Sequence, residues 1–318
     1  MAKNSIQMQK GLSLDQFLAT YGTENQCELA VEKFRWPDGY HCPKCGCGDP
    51  YFYWKKTVKV FQCRVCRKQV TLTEGTIFHS TKLYLRQWFQ AIYLLGQNKN
   101  NISALELMRH LGCSYPAAWR MKHKLMQVMY EREAETKLSG RVEIDDAYLG
   151  GELPGGKAGR GSENKVPFIA AVQTNKENRP VYAIFSQVNS FSLDEVSSWA
   201  NRSLVPGSVV VSDGFKCFSA VAEAGCFHQR IIVGKNRKST SMGCFTWVNT
   251  ILGNAKNAIT GTYHAFNFKK YGFRYLGEYQ YRFNRRFKLA DIFSRLIYAA
   301  VNTGQRPERF LRFSEESF

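Results

Sequence analysis

Two groups of side chains in this sequence have the types and spacing to do chemistry. In HCPKCGCG and FQCRVCRK, Cys42 and Cys45 are followed by Cys63 and Cys66, two CxxC pairs. Each pair turns two thiolates the same way, and a hairpin between the pairs assembles the tetrahedral set that a structural zinc ion requires. An iron centre or a redox dithiol is the lesser alternative. Four thiolates leave no position for water, so such an ion builds a module and does not catalyse. Cys47 lies too close to Cys45 to complete the same knuckle, and Cys27, Cys113, Cys217, Cys226 and Cys244 read as small buried hydrophobes.

The second group is acidic. In VEIDDAYLGG, strand alternation puts Glu143 and Asp145 on one face and Asp146 on the other, unless the strand ends or bulges there. In SVVVSDGF, Asp213 follows an apolar strand and sits at its carboxyl end, where α/β scaffolds hold ligands beside an open reaction side. In TWVNTILGNAKNAIT, Asn249 and Lys256 are seven residues apart, close to two helical turns, and share a helix face. Together they suit a metal-dependent nuclease-like site. Singly, each has a plainer use: Asp213 as a helix cap, Asn249 bonding within its first turn, Lys256 as solvated surface.

The surrounding elements must position these groups. Residues 11–36 read as a short helical docking segment with Ser13 as a cap, and 37–75 as the ribbon carrying the cysteines. That ribbon also bears Lys44, Lys55, Lys56, Lys59, Arg64, Arg67 and Lys68 beside Tyr51, Tyr53 and Trp54, a mixture suited to phosphate contact and base stacking. Residues 76–135 form a helical segment in which NNISALELMRHLGCSYPAAWRMKHKLMQVM resembles helix-turn-helix; Arg120, Lys122 and Lys124 would face a major groove. Two ordinary packed helices give the same pattern. From residue 141 to 300 an α/β order follows: three strands, a helix near 192–203, a strand at SVVVSD, a helix over 215–224, then helices, before a tail over 301–318. The Gly-rich GGELPGGKAGRGSENK lacks the residues of a phosphate-binding loop and reads as a hairpin tip facing DNA.

Lys plus Arg exceed Asp plus Glu by 44 − 26 = 18, so the chain attracts polyanions. A composition of 44% hydrophobic and 22% charged residues argues against disorder. No run approaches the roughly 18 apolar residues of a membrane helix, and the first residues lack an apolar secretory core. Sparse, paired cysteines agree with a reducing compartment, so a cytoplasmic protein is expected.

These motifs carry a resemblance. From about Phe34 to Arg286, the ordered series CPKC, CRVC, LTEGTIFHSTKLYLRQW, ISALELMRHLG, VEIDDAYLGG, VSDG, WVNTILGNAKNAITGTYH and YRFNRRF resembles bacterial insertion-sequence transposases. These join a zinc ribbon and a helical DNA-binding segment to a ribonuclease-H-like catalytic domain of the DDE type. The resemblance implies that Asp145 and Asp213 are the first two catalytic acids. Asn249 stands at the third ligand position, where most relatives carry Glu and one subgroup Asn, and Lys256 is the basic residue after it. Asp146 stands where Glu is commonest. Two Mg2+ or Mn2+ ions are then expected, with Glu143, Asp146 and His264 as auxiliary groups. Lys235, Arg237, Lys238, Arg282, Arg285 and Arg286 would contact DNA. The partners implied are double-stranded DNA at terminal inverted repeats, target DNA, and at least one further copy of the chain when the ends are paired. The rivals are a zinc-ribbon regulator or inactive derivative, and a structure-specific nuclease that cuts without joining.

Overall fold

Residues 9–55, 58–150, 162, 164–232, 243–263 and 266–313 are described by a computed structural model of the protein. Most of the Gly-rich hairpin, Lys56, Lys235, Arg237, Lys238, His264 and the last five residues lie outside the described residues. The chain divides into two compact units, the first made of Met1–Val128 with Phe287–Leu311 and the second containing Met129–Arg286.

The first unit opens with two capped helices, α1 (Leu14–Tyr21) and α2 (Glu24–Arg35). Ser13 and Thr23 each accept from a backbone N–H three residues on, while Gln16 and Gln26 reach back to the cap. Such boxes satisfy amides that the first turn leaves unpaired. The ribbon has three strands, β1 (Pro50–Lys55), β2 (Val58–Cys63) and β3 (Gln69–Thr71), paired antiparallel in chain order. Arg35 ties α2 to the ribbon by donating to the carbonyls of Thr71, Leu72 and Glu74.

Three helices follow: α3 (Leu85–Gln97), α4 (Ala104–Leu111) and α5 (Tyr115–Glu133). Ser103 caps α4, and Gly112 at φ +61° ends it in a left-handed turn that glycine enters without steric cost. The expectation of two helices around a Gly-Cys-Ser-Tyr turn therefore holds for the backbone.

One expected limit does not hold. The catalytic stretch is expected to run to residue 300, yet the helix Leu289–Val301 (α9) packs on α2 and α3 in the first unit. Its apolar stripe of Ile292, Phe293, Leu296 and Ile297 requires helical neighbours. Phe293 meets the rings of Phe17, Tyr21 and Phe89, and a side chain at Gly96 would crowd Ile292 at 3.0 Å. A short α10 (Glu308–Arg312) lies beyond it.

The second unit is built on a five-stranded sheet. Its strands are β4 (Arg141–Leu149), β5 (Val166–Thr174), β6 (Pro180–Gln187), β7 (Val209–Ser212) and β8 (Phe227–Arg230), in the order β6-β5-β4-β7-β8. The β4–β5 and β5–β6 pairs are antiparallel, whereas β4–β7 and β7–β8 are parallel. Helix α6 (Leu193–Ser203) and a 3-10 helix over Lys216–Ala224 cover one face; α7 (Thr246–Thr260) and α8 (Phe268–Asn284) cover the other. The helix expected over 215–224 is a 3-10 helix, and β8 lies where no strand is expected. Strand β5 alternates between the two cores: Ile169 and Ala171 join one, while Phe168, Ala170 and Val172 join the other. A strand buried on both faces reads as a near-continuous apolar run, as VPFIAAV does.

The outer edge of β6 is covered by side chains of α8. Asn284 accepts from the Ala183 N–H (2.8 Å) and donates to its carbonyl (3.0 Å), and Gln280 accepts from Phe185 N–H (3.0 Å). Glu133 holds both amides from behind through Asn284 Nδ2 (2.6 Å) and Gln280 Nε2 (3.4 Å). Gly272 lets α8 lie this close, since a Cβ there would sit 2.9 Å from Leu149 Cδ1. Such cover removes the free pairing edge that exposed strands present.

Candidate active site

Strand pairing brings the acids together. Val142 and Ile144 of β4 point into the core beneath α6, so alternation turns Glu143 and Asp145 toward α7, as expected. In the parallel pair, Glu143 is opposite Val211; continuing that register by two residues sets Asp213, just past the end of β7, beside Asp145 in the middle of β4. Carboxylate oxygens of Asp145, Asp146 and Asp213 all lie within 4.8 Å of one another. Asp146 joins although its parity points it away. Asp145 Oδ1 accepts from the Asp146 N–H (2.9 Å), which leans the Asp145 carboxylate along the strand toward its neighbour. Asp213 Oδ1 accepts from Phe215 N–H (2.9 Å), fixing the turn into the 3-10 helix. Ser212 Oγ, 2.8 Å from His228 Nε2, fastens the end of β7 to β8.

Burial first, and then the carboxylates of Asp146 and Asp213, push the Asp145 carboxyl up to about 7, against the opposing pull of the Asp146 N–H and Lys256. Crowded carboxylates disfavour one another's ionisation unless a cation shares them. The donor set is all oxygen, which suits a hard divalent cation such as magnesium.

Helix α7 supplies the remaining pair. It packs on β4 and β5 through Val248, Ile251, Leu252, Ala255 and Ile259, and leaves Asn249 and Lys256 half-buried. Asn249 Nδ2 donates to the Phe245 carbonyl (2.9 Å), so its carboxamide oxygen is the atom left for a ligand. Lys256 is close enough to Asp145 to act on its charge.

Glu143, expected as an auxiliary metal group, does something else. It is fully buried, outside the carboxylate cluster, and its oxygens are taken by Arg141 and by backbone amides at the start of α7. An acid between Val142 and Ile144 in a buried strand was the available signal, because a charge in such a place requires partners.

In the ribbon, the sulfurs of Cys42, Cys45, Cys63 and Cys66 lie within 4.8 Å of one another, with Cys42–Cys66 and Cys45–Cys63 at 3.5 Å. Zn–S bonds of about 2.3 Å in a tetrahedron place sulfurs about 3.8 Å apart, so the set fits a structural zinc ion. Cys47 contributes its carbonyl to the knuckle, accepting from Cys42 N–H (2.9 Å). Cys27, Cys217 and Cys226 are buried, whereas Cys113 and Cys244 are only half-buried.

Several residues expected on a DNA surface are turned inward. Lys122 is buried, and Lys124 donates to the Ile77 carbonyl (2.7 Å) over the Trp88 ring, with burial drawing its amine down to about 8. From Met121 to Met129 all of α5 except Lys124 is buried, so this stretch presents no basic face to a groove. Arg120 is exposed and pairs with Glu308 at 2.8 Å. Arg282 is buried; Arg285 pairs with Glu133 and stacks on Tyr281; Arg286 donates to the carbonyls of Pro180, Val181 and Phe283. The basic run of YRFNRRF fastens α8 to β6 and Glu133.

Residues 137–284 match the family model of the ISXO2-like transposase domain, and residues 22–69 match that of the transposase zinc-ribbon domain. Two parts of the chain are thus similar to the domains of insertion-sequence transposases. The chain is also 23% identical, over 290 residues, to an uncharacterized protein in transposable element ISH50 of Halobacterium salinarum; the match covers 82% of the present chain and 95% of that protein. Both matched regions contain the clusters described above, the zinc-ribbon match enclosing all four cysteines and the transposase match all three acids with Asn249 and Lys256. Among the described residues, no helix of the chain is long and apolar enough to cross a membrane.

Proposed function

We propose that the second unit is a ribonuclease-H-like domain that cleaves and joins DNA at insertion-sequence ends by divalent-metal-dependent phosphoryl transfer. The observation that carries this reading is the convergence of Asp145 and Asp146 of β4 with Asp213 where β7 ends, beside a helix bearing Asn249 and Lys256. The sheet order, antiparallel on one side of β4 and parallel on the other, is compatible with that domain type.

Asp145 and Asp213 would hold Mg2+ or Mn2+, with Asn249 as a neutral third ligand and Asp146 as an additional carboxylate. Bound there, the ions would activate an attacking oxygen and stabilise the departing one. The crowded Asp145 carboxyl favours ionisation when such a charge arrives. Lys256 would hold a phosphate of the DNA end. Water would serve as the first nucleophile and the released 3′ hydroxyl as the second, so one site would perform end cleavage and strand transfer. Two ends require two active sites, hence at least a dimer on DNA.

With Lys122, Lys124 and the α8 arginines occupied, the ribbon becomes the better DNA-facing element. Lys44, Lys55, Arg64, Arg67 and Lys68 are exposed there beside Tyr51, Phe52 and Trp54.

Purified wild type and Asp145→Asn, incubated with labelled terminal-repeat and target DNA with and without magnesium, test the proposal by mapping 3′ ends and joints. Magnesium-dependent joints from the wild type alone are expected. Binding without cuts or joints in either metal would favour a regulator, and cuts without joints a nuclease.

A further inference from the structure

Glu143 is fully buried and is not part of the carboxylate cluster, and both of its oxygens are bonded. One oxygen accepts from Arg141 Nη1 at 2.6 Å. The other accepts from the backbone N–H groups of both Trp247 and Val248, each at 3.0 Å. Arg141 turns its second nitrogen to the Cys244 carbonyl at 3.0 Å. The pair thus grips the chain on both sides of the start of α7, by a carbonyl at residue 244 and amides at 247 and 248.

Helix α7 has no cap of its own. Phe245 occupies the N-cap position and makes no side-chain bond to the first turn. A helix start buried without partners would strand amides that have lost water and gained no acceptor. The cap is supplied by a strand residue 104 positions earlier in the chain. A carboxylate there also meets the positive end of the helix dipole.

The placement gives this contact a consequence for the active site. Glu143 stands two residues before Asp145 on the same face of β4, and the last amide that it accepts belongs to the residue before Asn249. We infer that Glu143 is a positioning residue: with Arg141 it locks the first turn of α7 to β4, and so fixes Asn249 and Lys256 relative to Asp145. The inference rests on the proposed metal-binding role of Asp145 and Asn249.

A double-mutant cycle with Mn2+ as the probe tests it. Mn2+ affinity is measured by electron paramagnetic resonance on the zinc-loaded full chain for wild type, Glu143→Gln, Asn249→Ala and the double variant, with Asp145→Asn as reference. In Glu143→Gln, an amide N–H2 faces either the Arg141 guanidinium or the helix amides, so the grip loosens while the volume is kept. Glu143→Gln should weaken Mn2+ binding by about five-fold or more in the wild-type background, and by less than about two-fold when Asn249 is already Ala. Equal losses in both backgrounds, or none in either, would overturn the positioning role. If Glu143→Gln fails to fold, Arg141→Lys, which releases one of the two grips, is carried through the same cycle with the same criteria. Unchanged Mn2+ binding in Asp145→Asn would instead reject the metal site itself, so the two readings fail separately.

Discussion

The two clusters of ligand-type side chains in this protein are assembled in opposite ways. The four thiolates of the ribbon come from 25 consecutive residues, 42–66, and close on one another. The carboxylates come from two strands, and their neighbours Asn249 and Lys256 from a helix more than 100 residues after Asp145. A local, closed set suits an ion that substitutes for a missing core. Val60, Phe61 and Val70 are the ribbon's few buried strand residues besides Cys63. A dispersed set beside an open strand end suits an ion that must meet a substrate, and it leaves like charges crowded until that ion arrives.

The largest effect should come from removing zinc. Chelation, or Cys63→Ser, should unfold residues 37–75 while the second unit keeps its cooperative transition, because apparent zinc binding of about 10–16 kcal/mol is folding free energy in such modules. Zinc analysis with amide exchange reads this, and retained protection of β1–β2 amides in zinc-free protein would erase the contrast.

A smaller and opposite effect is expected at the acids. The folded state raises Asp145 from an ordinary 3.8 to about 7, so it favours the protonated form. Its favourable contribution is complete below about pH 4 and is lost as pH rises through about 7. Metal-free Asp145→Asn should therefore melt above wild type at about pH 8 and near it at about pH 4. Magnesium should stabilise only the wild type. A variant that melts lower at both pH values would mean that the acids are already compensated.

The smallest effect sharpens the comparison from the third ligand. Asn249→Asp should raise Mn2+ affinity by roughly ten-fold, the range of one added charge at an oxygen site, and slightly lower metal-free stability. Titration calorimetry reads both the sign and the size, and a weaker affinity would remove residue 249 from the ligand set.

Much of this was legible in the sequence because it is local. CxxC spacing, the VEIDD strand, the acid after SVVVS, and the Ser103 and Ser13 caps all concern residues within a few positions of each other. The inward placement of Lys124 and Arg286 is not legible for the converse reason. Lys124 finds its acceptor at Ile77, and Arg286 finds its own at Pro180 and Val181, 105 residues away at the nearer. A charge pattern read as solvated face is blind to such partners. Glu143 shares a strand face with Asp145, which suggests an auxiliary metal group, whereas its bonding partners at 247 and 248 lie a hundred residues away in sequence. The placement of α9 was hidden similarly, since an apolar helical stripe states that it needs cover without saying whose.

That placement bears on how the molecule is made. The first unit draws its last core helix from residues 289–301, after the whole catalytic-type unit has passed. During synthesis the sheet of Asp145 and Asp213 can close before the helices around Phe17 and Phe89 receive Phe293. A nascent chain therefore completes its second unit first. A ribosome that stops short of Leu289 releases a chain with an entire carboxylate site and an unfinished partner unit.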